Sequence, residues 1–126
     1  MLKRLVFIAL LLSPLLSAST GRAADDCPAS GQLDAIVRAV RTAPSCATAY
    51  KIAEACAFGS TADVQTTSIV IEKCEARMSA AQRSSYERAA KACHAKHAGQ
   101  DGTMYRAMAA FCAAGAAVRA AGKAGR

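Results

Sequence analysis

The eleven residues VQTTSIVIEKC, from Val64 to Cys74, decide what kind of fold this chain can have. Six of them are β-branched, a composition that favours a strand. A half-buried strand also needs alternation, and here Ile69, Val70 and Ile71 are consecutive. No second segment offers itself as a pairing partner. The stretch therefore reads as a helix that starts at Ser60 or Thr61 and runs to about Met78. Its expected buried stripe is Val64, Thr67, Ile71, Cys74 and Met78.

With the strand reading set aside, the rest of the chain reads as short helices. Upstream, Leu33, Ile36, Val37 and Val40 recur at helical spacing, with Arg38 and Arg41 on the opposite side. Pro44 closes that first helix, and Ser45 is placed to cap a second that runs to about Phe58, where Gly59 supplies a stop. Downstream, Ser79 and Gln82 form a capping box for a fourth helix. Tyr86, Ala89, Ala90, Cys93 and His97 share one of its faces. After Gly99 and the turn from Gln100 to Gly102, Thr103 caps a fifth helix with the stripe Met104, Met108, Phe111, Cys112 and Gly115. The tail from Ala120 is expected to fray. Alanine fills 32 of 126 positions, which favours helices and lets them approach closely. The expected fold is all-α, a small bundle of about five short helices.

The N-terminus, MLKRLVFIALLLSPLLSASTGRAADDC, has a basic start at Lys3 and Arg4. An apolar run from Leu5 to Leu16 follows, then small residues with Gly21 and Ala23 at the −3 and −1 positions of a cleavage site. That is the grammar of a secretory signal peptide spanning 1–23. The rival, an uncleaved anchor, needs about 20 apolar residues, and this run is shorter and carries Pro14. Cys27 lies too far downstream for a lipoprotein signal. The expected product is a soluble single domain, 24–126, in the periplasm or secreted. Without Lys3, Arg4 and Arg22, the 16 basic side chains become 13 against nine acidic ones, a balance of +4 in place of +7.

All six cysteines lie in the mature part, and none is spaced C-x-x-C. An even count in a short exported chain implies a disulfide framework. Six cysteines allow 15 pairings, but antiparallel helices restrict them, because each residue of mismatch costs about 1.5 Å. About a turn near Ser60, Cys46 faces Cys74. About the Gln100 turn, Cys93 faces about Met108, one helical turn from Cys112. About Pro44, Cys56 reaches back to about Gly31, near Cys27. Cys74 to Cys93 would miss by about nine residues, far outside the roughly 4.4–6.8 Å between Cα atoms that a disulfide allows. The expected bridges are Cys27–Cys56, Cys46–Cys74 and Cys93–Cys112.

The segment KACHAKHAG, Lys91 to Gly99, concentrates Cys93, His94 and His97. Cys93 and His97 are an i, i+4 pair, a spacing zinc or copper would use. A bridged Cys93 has no thiolate to give, however, and the chain has no other histidine. No metal site and no cofactor are expected. A cysteine nucleophile needs the same free thiolate. There is no G-x-S-x-G, P-loop or H-E-x-x-H, and the nine carboxylates are scattered, so no catalytic residues are assigned and the chain reads as a non-enzyme. Arg83, Arg88, Lys91 and Lys96 lack interleaved aromatics and read as a solvated helix face, not a nucleic-acid surface. Met104, Met108 and Phe111 fit a binding groove or, more commonly, a core stripe.

MSAAQRSSYERAAKAC (Met78 to Cys93) followed by GTMYRAMAAFC (Gly102 to Cys112) resembles the second half of LprI-like lysozyme-inhibitor domains, small exported helical modules of bacterial envelopes. Ser79, Gln82, Cys93, Gly102, Thr103, Cys112 and approximately Arg119 occupy the family's motif positions. The resemblance implies a non-catalytic envelope binding protein whose partner is a protein such as a lysozyme. The alternative is a structural or stress-related periplasmic protein that inhibits no enzyme. Neither reading assigns binding residues, and neither involves stable membrane insertion after signal cleavage.

Overall fold

The computed structural model describes residues 27–29 and 31–122; the expected signal segment 1–23 lies outside the described residues. The chain forms α1 (Leu33–Thr42), α2 (Cys46–Ala55), α3 (Ala62–Glu75), α4 (Ala80–His97) and α5 (Thr103–Gly122), with no strand among the described residues. The fifth helix is the hub. It packs against α4 on one side and α3 on another, with a smaller contact to α2, while α1 and α2 close over the far side of α3.

Local sequence sets the helix boundaries. Ser45 caps α2, its hydroxyl accepting from the Thr48 amide at 3.0 Å. Ser79 and Gln82 form the reciprocal box of α4: the Ser79 hydroxyl accepts from the Gln82 amide, and Gln82 Oε1 accepts from the Ser79 amide at 2.7 Å. Two helices end early. Helix α2 stops at Ala55 instead of Phe58, with Cys56 bridged to Cys27 and Gly59 turning the chain at φ 70°, where a side chain would be strained. Helix α3 stops at Glu75; Arg77 and Met78 donate to Cys74 and Glu75, three residues back, tightening the exit. At the other end of the chain, Ala120 does not fray. It is buried in the core, and α5 runs on to Gly122.

The core departs from the expected stripes in two places. In α3, Thr67 and Cys74 are buried as expected, but Val64 is 39% exposed and Ile71 and Met78 are only half-buried. The buried line is Asp63, Thr66, Thr67, Val70 and Cys74, joined by Ile69. The cause is Asp63, which is 1% exposed and accepts from the amides of Phe58, Gly59 and Ser60 at 2.9, 2.7 and 3.1 Å. A carboxylate held by three amides is satisfied inside the protein, so it turns inward and rotates the helix with it. The hydroxyls of Thr66 and Thr67 donate back to the Asp63 carbonyl, leaving no buried polar side-chain atom without a partner among the described residues.

In α5, the expected stripe is core only in part: Gly115 is buried and Phe111 and Cys112 are half-buried. Met104 and Met108 are 52% and 47% exposed, whereas Ala107, Ala109, Ala110, Ala113, Ala114, Ala116, Ala117 and Ala120 are buried. A helix held between two others is lined by its smallest side chains, because these permit the closest approach. The two methionines are displaced to the outside.

The structure joins Cys27 to Cys56, Cys46 to Cys74 and Cys93 to Cys112, with Cα separations of 4.9, 5.0 and 5.7 Å. These are the three pairs selected by the hairpin arithmetic. No helix among the described residues is long and apolar enough to cross a membrane.

Candidate functional site

The KACHAKHAG segment is the last two turns of α4 and the turn beyond it. Cys93 is buried and bridged to Cys112. His94 is exposed, and His97 is half-buried, donating from Nδ1 to Gln100 Oε1 at 2.9 Å. The His97 ring lies 6.3 Å from that of Tyr105, tilted by 30°. Both histidines serve the α4–α5 corner, and no cluster of three or more metal-ligating side chains occurs among the described residues. The basic residues Arg83, Arg88, Lys91 and Lys96 are exposed along α4. All six cysteines are bridged, so none offers a thiolate.

Among the described residues, an open groove lies on the α5 face expected to be core. Met104, Met108, Phe111, Cys112, Gly115 and Arg119 line one side of this groove of about 480 Å³. The opposite wall comes from Tyr50 of α2 and from Ala57, Gly59 and Asp63 around the α2–α3 loop, while Lys96 and His97 stand at the α4 end. That volume falls in the range of about 300–1,000 Å³ typical of ligand sites.

Both walls are positioned by features already described. The Asp63 carboxylate gathers the three loop amides and so fixes Gly59 in the wall. Tyr50 meets Phe111 edge-on, with centroids 6.4 Å apart and planes at 75°, in a favourable aromatic arrangement. The walls meet closely at Gly115. A Cβ there would sit 3.3 Å from a guanidinium nitrogen of Arg119 and 3.4 Å from the Tyr50 hydroxyl. Burial, followed by the neighbouring Glu54 carboxylate, pushes the Tyr50 hydroxyl up to about 12, with Arg119 pulling the other way. Tyr50 therefore remains a neutral donor throughout the physiological range.

The charges on the lining are unequal in kind. Lys96 and Arg119 are exposed cations, whereas the Asp63 carboxylate is buried and committed to the loop. Sequence reasoning identified Met104, Met108 and Phe111 as groove candidates but preferred the core use. It missed Tyr50 and Gly59 as wall residues, and it placed Lys96 and Arg119 without linking them. The available signal was the second, all-alanine face of α5, which leaves the methionines no core to fill.

No family model matches this chain, and neither the curated proteins nor the solved structures include a match to it.

Proposed function

We propose that this chain is an exported protein of a bacterial envelope, periplasmic or secreted, that acts by binding a partner and not by catalysis. One observation carries the reading: the methionines of α5 stand 52% and 47% exposed along a groove, although a buried face is available on the same helix. Exposed methionines give an adaptable apolar surface, and a tyrosine and an arginine beside them are the residue types that dominate binding hot spots. The signal grammar of 1–23 and the three bridges support an oxidising destination. The paired cysteines remove the most accessible nucleophile.

The resemblance of the second half to LprI-like domains makes a lysozyme the first partner to test. The oxidised mature chain is added to several lysozymes, and cell-wall lysis is followed. Inhibition that is lost in Met108→Glu supports both the binding role and this target. No inhibition at micromolar protein removes lysozyme as the target. The binding role is tested separately by photo-crosslinking from position 108 in intact envelopes. The absence of any adduct specific to that position would overturn it.

A further inference from the structure

The chemistry of the groove specifies its occupant more closely than a generic partner. Resting on the binding role proposed above, we infer that the groove docks an acidic amphipathic helix presented by a partner protein. An extended peptide is a poor fit. The walls are helices whose backbone groups bond internally, and there is no strand among the described residues whose edge an incoming chain could join. A peptide lying in this apolar groove must satisfy its own amides and carbonyls, and a helix does so. Met104, Met108, Phe111 and Gly115 follow one another at helical spacing along the groove. A partner helix with apolar side chains at i, i+4 and i+7 would lie against that row.

The charges give the sign of the partner. Arg119 lies fifteen residues along α5 from Met104, about 22 Å. Lys96 belongs to the last turn of α4, at the corner where α5 begins, and so marks the opposite end. An apolar row with an exposed cation at each end suits a helix of about four turns with carboxylates near both of its ends. A single-chain amphiphile has one charged head and would use one cation only. The basic balance that remains without 1–23, 13 cationic side chains against nine acidic ones or +4, works in the same direction by steering acidic partners inward.

The test uses the oxidised chain with 13C-methyl-labelled methionine and a designed amphipathic probe peptide of about four turns, with leucines on one face and glutamates at both ends. A matched peptide carries lysine in place of each glutamate, and dodecanoate serves as the amphiphile control. The expected result is saturable binding of the acidic peptide that shifts the methyls of Met104 and Met108 and leaves Met78 in place. The double variant Lys96→Glu/Arg119→Glu, at two exposed positions and with its fold checked by circular dichroism, should weaken it at least about tenfold at low salt. That effect should shrink as salt is raised. Equal binding of the lysine peptide, or no loss in the double variant, overturns the inference. Dodecanoate shifting both methyls where the peptide does not also overturns it, while leaving a groove that binds. If neither probe moves Met104 or Met108, the inference fails, and position-specific crosslinking then decides the binding role independently.

Discussion

Asp63→Ala tests how the α2–α3 loop is held. The carboxylate is 1% exposed and accepts from three consecutive amides, at 2.9 Å from Phe58, 2.7 Å from Gly59 and 3.1 Å from Ser60. Hydrogen bonds to a charged acceptor contribute about 1.5–3 kcal/mol each in mutational series. Three on one carboxylate are not independent, and Phe58 and Gly59 are exposed enough for water to replace part of what is lost. Halving the simple sum leaves a cost of about 2–4 kcal/mol, large beside a typical total stability of about 5–15 kcal/mol. In a domain of this size each kcal/mol moves the melting temperature by about 4–8 °C, so the drop should be roughly 10–25 °C. Thermal and urea unfolding followed by circular dichroism, with the bridges intact, measures both quantities. Asp63→Asn should fall between the two, since it keeps one acceptor oxygen but turns an NH2 group toward an amide donor. Asp34→Ala, an exposed acid in the first turn of α1, is the control and should stay within about 0.5 kcal/mol. If Asp63→Ala also stays within that margin, the loop amides are served by water and the account of the rotated α3 face is wrong.

Three further outcomes follow from the same structure. Replacing Cys46 and Cys74 together by alanine opens a loop with sequence separation 28, for which the chain-entropy model gives a loss of about 3–4 kcal/mol, read as a lower urea midpoint. Ala114→Leu places extra methylenes where α5 is completely buried and should cost about 1–3 kcal/mol by overpacking, whereas Met108→Leu on the groove face should be nearly neutral in the same melts. The Tyr50 hydroxyl is raised from 10.0 to about 12 in the folded chain, so its contribution is complete below 10 and is lost as pH rises through 12. Burial, with smaller contributions from Glu75 and Glu87, raises Tyr86 in the same direction. Urea midpoints should therefore stay level to about pH 9 and then fall, and Tyr50→Phe should fall less steeply over that range.

Much of the fold is legible in the residues themselves. Caps at Ser45 and Ser79 are local chemistry, and the bridges follow once helices and turns are placed, because helical rise converts sequence distance into space. The faces of α3 and α5 are less legible. Hydropathy excludes an aspartate from the inside, so the stripe beginning at Val64 is rotated away from the true one beginning at Asp63. Nothing in the periodicity shows that three loop amides wait for that carboxylate. In α5 the rule that large apolar residues are buried fails, because a helix between two neighbours buries its alanines instead. The groove follows from that inversion, and so it was visible only as three apolar residues with two possible uses.

The order of the bridges along the chain has a consequence for biogenesis. Numbered from the N-terminus, the cysteines pair first with third, second with fourth, and fifth with sixth. If the chain is exported as proposed and oxidised while it emerges through a membrane, it presents Cys27 and Cys46 before Cys56, and Cys56 and Cys74 before Cys93. Joining neighbours in order of arrival would leave two wrong links in the first half and the correct one in the second. The α4–α5 hairpin can thus close at once, whereas α1 to α3 must wait for release or exchange partners by thiolate attack on the early links. Maturation of this protein would then be limited by isomerisation of its N-terminal half, and a host that oxidises thiols but reshuffles them poorly should accumulate chains with a native C-terminal link and a scrambled remainder.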